Sequence, residues 1–374
     1  MMLRPSLIGL VAAILSASTH VAASPTSMAN TTQPQECAEP AHHAFFVMGC
    51  SKPIVVERAD PIEFPGVASP HLHTIMGGNA FDLAMTYNRT QTSTCTTCGV
   101  TKDLSNYWVP PVYFHAANGS FVSVEQVGGI NVYYQERMDW TDYRACKTLQ
   151  PFPREFRMIA GDQARRSYNA SIPAHRAVEF VCLLADGQTG VASFPGFPNR
   201  TCDGGLQIRF RFPSCWDGVH MGGEEGSDHK SHVAYPSMVD NGVCPSTHPV
   251  RIPALLFEMT WAVDAFNALR VDGDQPFVLS QGDPTGYGYH ADFFNGWDVD
   301  VLRAALRDPT CANPSGGHID QCETFRPFLQ NNTIQNMCLG IEPKVKEPMF
   351  GVQDALPGCN PIQSGPANAV THHC

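Results

Sequence analysis

Histidine, acidic and aromatic side chains gather in four segments of this sequence. The first contains Pro70-His71-Leu72-His73 and leads to Gly77-Gly78-Asn79. On an extended strand a period of two puts His71 and His73 on one face, a common way to offer two imidazoles to a metal ion. The second follows Cys215-Trp216-Asp217-Gly218 and reads Asp228-His229-Lys230-Ser231-His232-Val233-Ala234-Tyr235. Two histidines three residues apart converge on a helical turn or a tight loop, where Asp228 or Tyr235 would orient or assist them. The plainer reading is a solvated turn in which Asp and His pair incidentally. The third holds His248 between Thr247 and Pro249, where restricted dihedrals fix the ring, and leads into an apolar run carrying Glu258. A lone carboxylate there is either a general acid with a raised pKa or half of an ion pair with Arg251 or Arg209. The fourth, Ser280 to Asp298, places His290 and Asp292 on one face of an extended backbone. Its glycines permit sharp turns, and Tyr287, Tyr289 and Trp297 lie beside them.

These residue types support two classes of function. As an enzyme acting on polysaccharide or cell-wall glycan, the chain would use His71, His73, Asp228, His229, His232, Glu258, His290 and Asp292 as its catalytic set. A divalent ion would be its cofactor, drawn from the ligands His71, His73, His229, His232, His248 and His290, to activate water or stabilise an anion. Without metal, His and Tyr would act as base and acid on a uronate, or Glu258 and Asp292 would hydrolyse a glycosidic bond. As a non-catalytic glycan- or wall-binding protein, it would instead present Trp216, Tyr287, Tyr289 and Trp297 as a stacking platform. Asn79 and Tyr235 complete the substrate-binding candidates. An enzyme requires at least three of these His and Asp side chains in one pocket, a binder requires a flat aromatic face, and a purely structural role satisfies the histidines in loops.

The elements that must position these groups read mostly as strands. Phe45–Met48, Val112–Phe114, Asn131–Tyr134, Gln207–Phe212, Leu255–Trp261 and Phe277–Ser280 are rich in β-formers and bounded by Gly, Pro or Asn. Asp298–Arg307 is the best helix, with acids at its start, bases near its end and apolar spacing near 3.6. The pattern predicts a mainly β single domain, a β-sandwich or jelly roll with minor helices, stabilised by disulfides. The even count of 14 cysteines permits seven bridges and points to an oxidising compartment. Cys95-Thr-Thr-Cys98 lacks the second pair expected of a zinc site and the strand-to-helix setting of a redox pair, so structural disulfides are expected there.

Net charge is −11 with no long basic run, which argues against nucleic acid as a partner. Residues 1–23 have a basic start, a short apolar core and a small-residue exit at Ala23, the layout of a secretory signal peptide. A flexible lead-in over 24–40, a domain over 41–342 and an irregular tail over 343–374 follow. No apolar window long enough to cross a membrane comes after the leader. Sequons at Asn30, Asn88, Asn118, Asn169, Asn199 and Asn331 suit a secreted glycoprotein, expected to be a monomer. Phosphate-cradling loops, the Gly-x-Ser-x-Gly elbow and His-Glu-x-x-His are absent from the sequence, which argues against nucleotide-driven chemistry, α/β-hydrolase esterases and the commonest zinc peptidases.

Several of these stretches occur together and in order: Asp60-Pro-Ile-Glu-Phe-Pro-Gly66, Pro70-His71-Leu-His73, Gly77-Gly-Asn79, Cys215-Trp-Asp-Gly218, Asp228-His-Lys-Ser-His-Val-Ala-Tyr-Pro236, Cys244-Pro245, His248-Pro249, Gly282 through Phe293 and Asn295-Gly-Trp297. In these the chain resembles the fungal secreted family known as domain of unknown function nineteen ninety-six, over about residues 58–300. The resemblance implies a secreted fungal protein and carries no established reaction.

Overall fold

Runs of β-forming side chains build the strands of this computed structural model, which describes residues 44–186, 189–271, 273–311 and 316–372. In Phe45–Cys50 the inward positions are Phe46, Met48 and Cys50, and in Leu206–Arg211 they are Leu206, Ile208 and Phe210. These two belong to a six-stranded antiparallel sheet, in the order Phe45–Cys50, Gln126–Gln135, Ala254–Trp261, Leu206–Arg211, Val178–Leu183, Thr189–Phe194. A five-stranded antiparallel sheet runs Val55–Glu57, His73–Gly77, Asn106–Val109, Ala291–Phe294, Arg157–Ala160. Smaller sheets have four strands, including Val112–His115, Phe121–Ser123 and Phe277–Leu279, and three strands around Cys215–Trp216. The mainly β architecture with minor helices is therefore present, and the predicted helix forms over Val299–Ala305, capped by Asp298.

The two larger sheets face each other across one core. Met76, Tyr107, Val109, Met158 and Phe293 of the five-stranded sheet share a cluster with Phe46, Val132, Tyr134 and Phe257 of the six-stranded sheet. Tyr107 stacks on Phe293 and meets Phe257 edge-on, and its hydroxyl lies 2.7 Å from that of Tyr134. The opposite face of the five-stranded sheet is also buried, because the segments flanking its first two strands, between residues 54 and 85, fold over it. Ile54, Ala59, Ile62, Phe81 and Met85 pack there on Ile75, Trp108, Ile159 and Phe294. This second core makes the sheet apolar on both sides, so any polar residue on its outer face needs a specific partner.

Five disulfides are described: Cys50–Cys98, Cys95–Cys338, Cys182–Cys202, Cys215–Cys244 and Cys311–Cys322. Cys146 and Cys359 are disulfide-bonded too. Cys95 and Cys98 each bond to a distant cysteine, so this pair holds the fold and ligates no zinc. After residue 340 the chain runs back over the sheets. Val352–Gln353 adds an edge strand to Phe121–Ser123, Leu356 is buried, and Asn360 Nδ2 donates to the Pro70 carbonyl. The leader and lead-in read at 1–23 and 24–40 lie outside the described residues. Among the described residues no helix is long and apolar enough to cross a membrane.

Candidate functional site

Register explains how histidines far apart in sequence meet. The central strand of the five-stranded sheet ends at Val109, and Pro110 and Pro111 cannot continue its ladder. Thr74 pairs with Val109 on one side and Asp292 with Trp108 on the other. Continuing both registers sets His73 and His290 on the row of Pro110, one on each side of the ended strand. His71 lies two residues before His73, so the alternation keeps both on the outer face while Leu72 turns into a separate apolar cluster with Tyr113 and Val278.

The three imidazoles converge on their Nε2 atoms. His71 Nε2 is 3.0 Å from His290 Nε2, and His73 Nε2 is 3.2 Å from it. All three rings are at least 96% buried, with exposures of 2%, 0% and 4%. His73 Nδ1 lies 3.0 Å from the Ala59 carbonyl and His290 Nδ1 lies 3.1 Å from the Gly288 carbonyl. A carbonyl only accepts, so both Nδ1 atoms carry the proton and both Nε2 atoms are bare lone pairs. Two lone pairs facing each other repel, unless a cation stands between them. Nitrogen ligands about 2.0–2.1 Å from one ion, at octahedral to tetrahedral angles, sit about 2.8–3.4 Å apart, which brackets both spacings. Burial, then the neighbouring histidines, holds His71 and His73 well below the usual histidine range. Burial pushes His290 down to about 4 despite the Gly288 carbonyl. The neutral, ligating form is thus the resident one.

Acidic groups lie beside this cluster. Asp292 is fully buried in the row between Trp108 and Ile159, and neither carboxyl oxygen has a hydrogen-bond partner. Burial, with the charges of Asp60 and Glu63, pushes its pKa well above the carboxylate range. Asp60 is pushed up to about 7 by burial and Glu63, against two backbone amides that donate to its Oδ1. Glu63 reaches the surface, held by Gln163 at 2.8 Å and Lys230 at 3.7 Å.

The group able to hold an ion contains His71, His73 and His290. The remaining histidines read from the sequence lie outside this group: His229 Nδ1 donates to the Gly222 carbonyl, His232 Nε2 to the Arg157 carbonyl, and His248 Nε2 to the Ser231 carbonyl. Asp228 caps its own loop, accepting from the amides of Lys230 and Ser231, and these bonds lower its pKa to about 2. Glu258 is in the ion pair with Arg209 at 3.0 Å and accepts from the Tyr133 hydroxyl. Asn79 staples a turn through Thr94 and Cys95, and Tyr235 donates to the Arg211 carbonyl. Trp216 Nε1 donates to the His220 carbonyl and Trp297 Nε1 to the Tyr134 hydroxyl. Tyr289 is buried beside Phe180 and Phe210, while Tyr287 is half-buried and stacks on exposed Tyr168. These aromatics form no shared flat face. A second cluster, Asp308 with Cys311 and Cys322, holds no free thiolate because the cysteines bond to each other.

Asp60 and Glu63 enter the sequence reading only through the family-like stretch Asp60–Gly66, and Gln163 does not enter it. Asp60-Pro61 reads as a turn, and only the fold over the outer sheet face brings it to Asp292.

No curated protein and no solved structure matches the chain significantly. Residues 60–297, the span that holds all three converging histidines, match the family described as Domain of unknown function (DUF1996), and the chain belongs to that family.

Proposed function

We propose that this chain is an extracellular metalloenzyme, its ion held by His71, His73 and His290, that acts on polysaccharide or cell-wall glycan. The observation that carries the reading is the meeting of three buried Nε2 atoms, two of them stripped of protons by their Nδ1 partners. An imidazole set of this kind suits zinc, copper, iron or nickel. Three protein ligands leave a coordination position open, and an ion there would polarise a substrate oxygen or lower the pKa of bound water. The chain's own part is to keep the imidazoles neutral and to hold protons nearby. Buried Asp60 and Asp292, the latter two residues from His290, are the carboxyl groups that would take or give a proton beside the site. Glu63, Gln163 and Lys230 form the partly exposed end of the cluster, where a polar substrate would approach. The disulfides suit an oxidising compartment.

Elemental analysis tests this on the purified chain and on a His71→Ala/His290→Ala variant. We expect about one equivalent of a transition metal in the wild type and none in the variant. Wild-type protein that takes up no metal would overturn the reading. Chelation should abolish release of soluble products from a polysaccharide panel, and re-addition of the ion should restore it. A second reading, glycan binding without catalysis, is favoured by the stacked Tyr168–Tyr287 pair at the surface. It predicts retention on insoluble glycan that chelation leaves intact and no products.

A further inference from the structure

Two of the three histidines have a backbone carbonyl on Nδ1; the third has none. His71 Nδ1 is buried and without a hydrogen-bond partner. His71 borders a small pocket of about 20 Å³, walled also by Arg166, Gln281, Asn360, Gln363 and Val370. That is room for about one water molecule. Gln281 lines the same pocket and carries a second unpartnered buried atom, Oε1. The other end of that amide is occupied: Gln281 Nε2 donates at 2.8 Å to the Gly288 carbonyl, the atom that also receives the proton of His290 Nδ1. Gln281 is itself only 6% exposed and sits just before Gly282, whose Cβ position would lie 2.1 Å from the Pro361 carbonyl. The returning chain is thus packed tightly against it.

We propose that Gln281 is a positioning residue for two of the three metal-binding histidines. Through Nε2 it fixes the Gly288 carbonyl that orients His290. Through Oε1 it holds one water molecule that accepts the Nδ1 proton of His71 and donates to the amide oxygen. The water gives His71 the outer hydrogen bond that Ala59 and Gly288 give to the other two rings, so all three Nε2 atoms face the ion in the same tautomer. A buried donor and a buried acceptor that would each be costly alone satisfy one another through it. The proposal rests on the three-histidine reading above.

The test uses the full-length chain, zinc and a competing chromophoric chelator, with Gln281→Leu as the main variant. We expect zinc affinity to fall about 10–100-fold, the usual cost of losing an outer-shell partner. In ¹⁵N-labelled, zinc-loaded protein the Nδ1–H signals of His71 and His290 should move while that of His73, tied to Ala59, stays. Gln281→Asn keeps the amide but withdraws it by one methylene, and serves if the leucine variant fails to fold. Affinity within about threefold of wild type, against that expected range, would overturn the proposal. So would equal movement of all three ring signals, the mark of general loosening. Wild-type protein that binds none of zinc, copper, iron or nickel fails the three-histidine reading itself, whereas tight wild-type binding unchanged in both variants fails only the role of Gln281.

Discussion

A chain of hydrogen bonds through the main core ends on a buried carboxyl group. Trp297 Nε1 donates to the Tyr134 hydroxyl, which meets the Tyr107 hydroxyl, which donates to Asp103 Oδ2 at 2.6 Å. Burial pushes Asp103 up to about 6, against the bonds from Tyr107 and Ser105. A carboxyl group raised in the folded state favours folding while protonated, and that contribution is lost as pH rises from about 4 through about 6. Each tenfold change in proton affinity corresponds to about 1.4 kcal/mol. Asp103→Asn should therefore gain stability over the wild type at pH 7 relative to pH 4, as measured by urea unfolding at both values; an unchanged difference would refute the burial argument. The same residue-level logic limits what could be read beforehand. His71, His73 and His290 were legible by type and strand alternation. His229 and His232 carried an equally good local pattern, yet their rings end on the carbonyls of Gly222 and Arg157. Which histidines converge depends on strand register across the sheet, and the pairing of distant strands leaves no trace in side-chain spacing.

Strands explain why the site stands where it does. Ala160 pairs with Ala291, so Gly161 lies beside His290 at the sheet edge. It has a φ of +91°, and a Cβ there would come within 2.7 Å of the Tyr289 carbonyl and 2.9 Å of His290 Cα. Gly161→Ala should cost about 1–3 kcal/mol in denaturant unfolding and shift His290 enough to weaken metal uptake. Gly66 is the control, since its φ is +81° with nothing within 4 Å of a Cβ. Gly66→Ala should cost about 1 kcal/mol and leave metal content unchanged. Equal metal loss in both would show that Gly161 matters only for folding. At this scale the sequence was most readable: runs of β-formers bounded by Gly, Pro or Asn located the strands at Phe45, Val112, Gln207, Leu255 and Phe277, and end charges with apolar spacing near 3.6 located the helix after Asp298. The strands of the site itself were harder, because Asn106–Val109 is buried on both faces and shows no alternation.

Covalent ties bind distant parts of the molecule, and their loop lengths set their worth. Cys95–Cys338 spans 243 residues and Cys311–Cys322 spans 11. On loop entropy alone the first contributes about 5.5 kcal/mol and the second about 2.8 kcal/mol. Serine pairs at each bridge, compared by guanidinium unfolding, should therefore differ by about 3 kcal/mol, with the long bridge the more costly. A larger loss at the short bridge would show that local packing around Cys311 and Phe325, not chain entropy, governs. Such connectivity was beyond sequence reasoning, since many pairings satisfy an even cysteine count.

The long bridge also bears on how the chain is made. Cys50, Cys95 and Cys98 leave the ribosome close together, whereas Cys338, the native mate of Cys95, follows 243 residues later. For most of synthesis Cys95 is thus a thiol beside two nearer sulfurs, and the mispairing most open to it is with Cys98, three positions away. A nascent chain caught in that pairing must be reshuffled before Cys98 can reach Cys50. Yield of correctly joined protein will accordingly depend on the disulfide isomerase capacity of the host that expresses it.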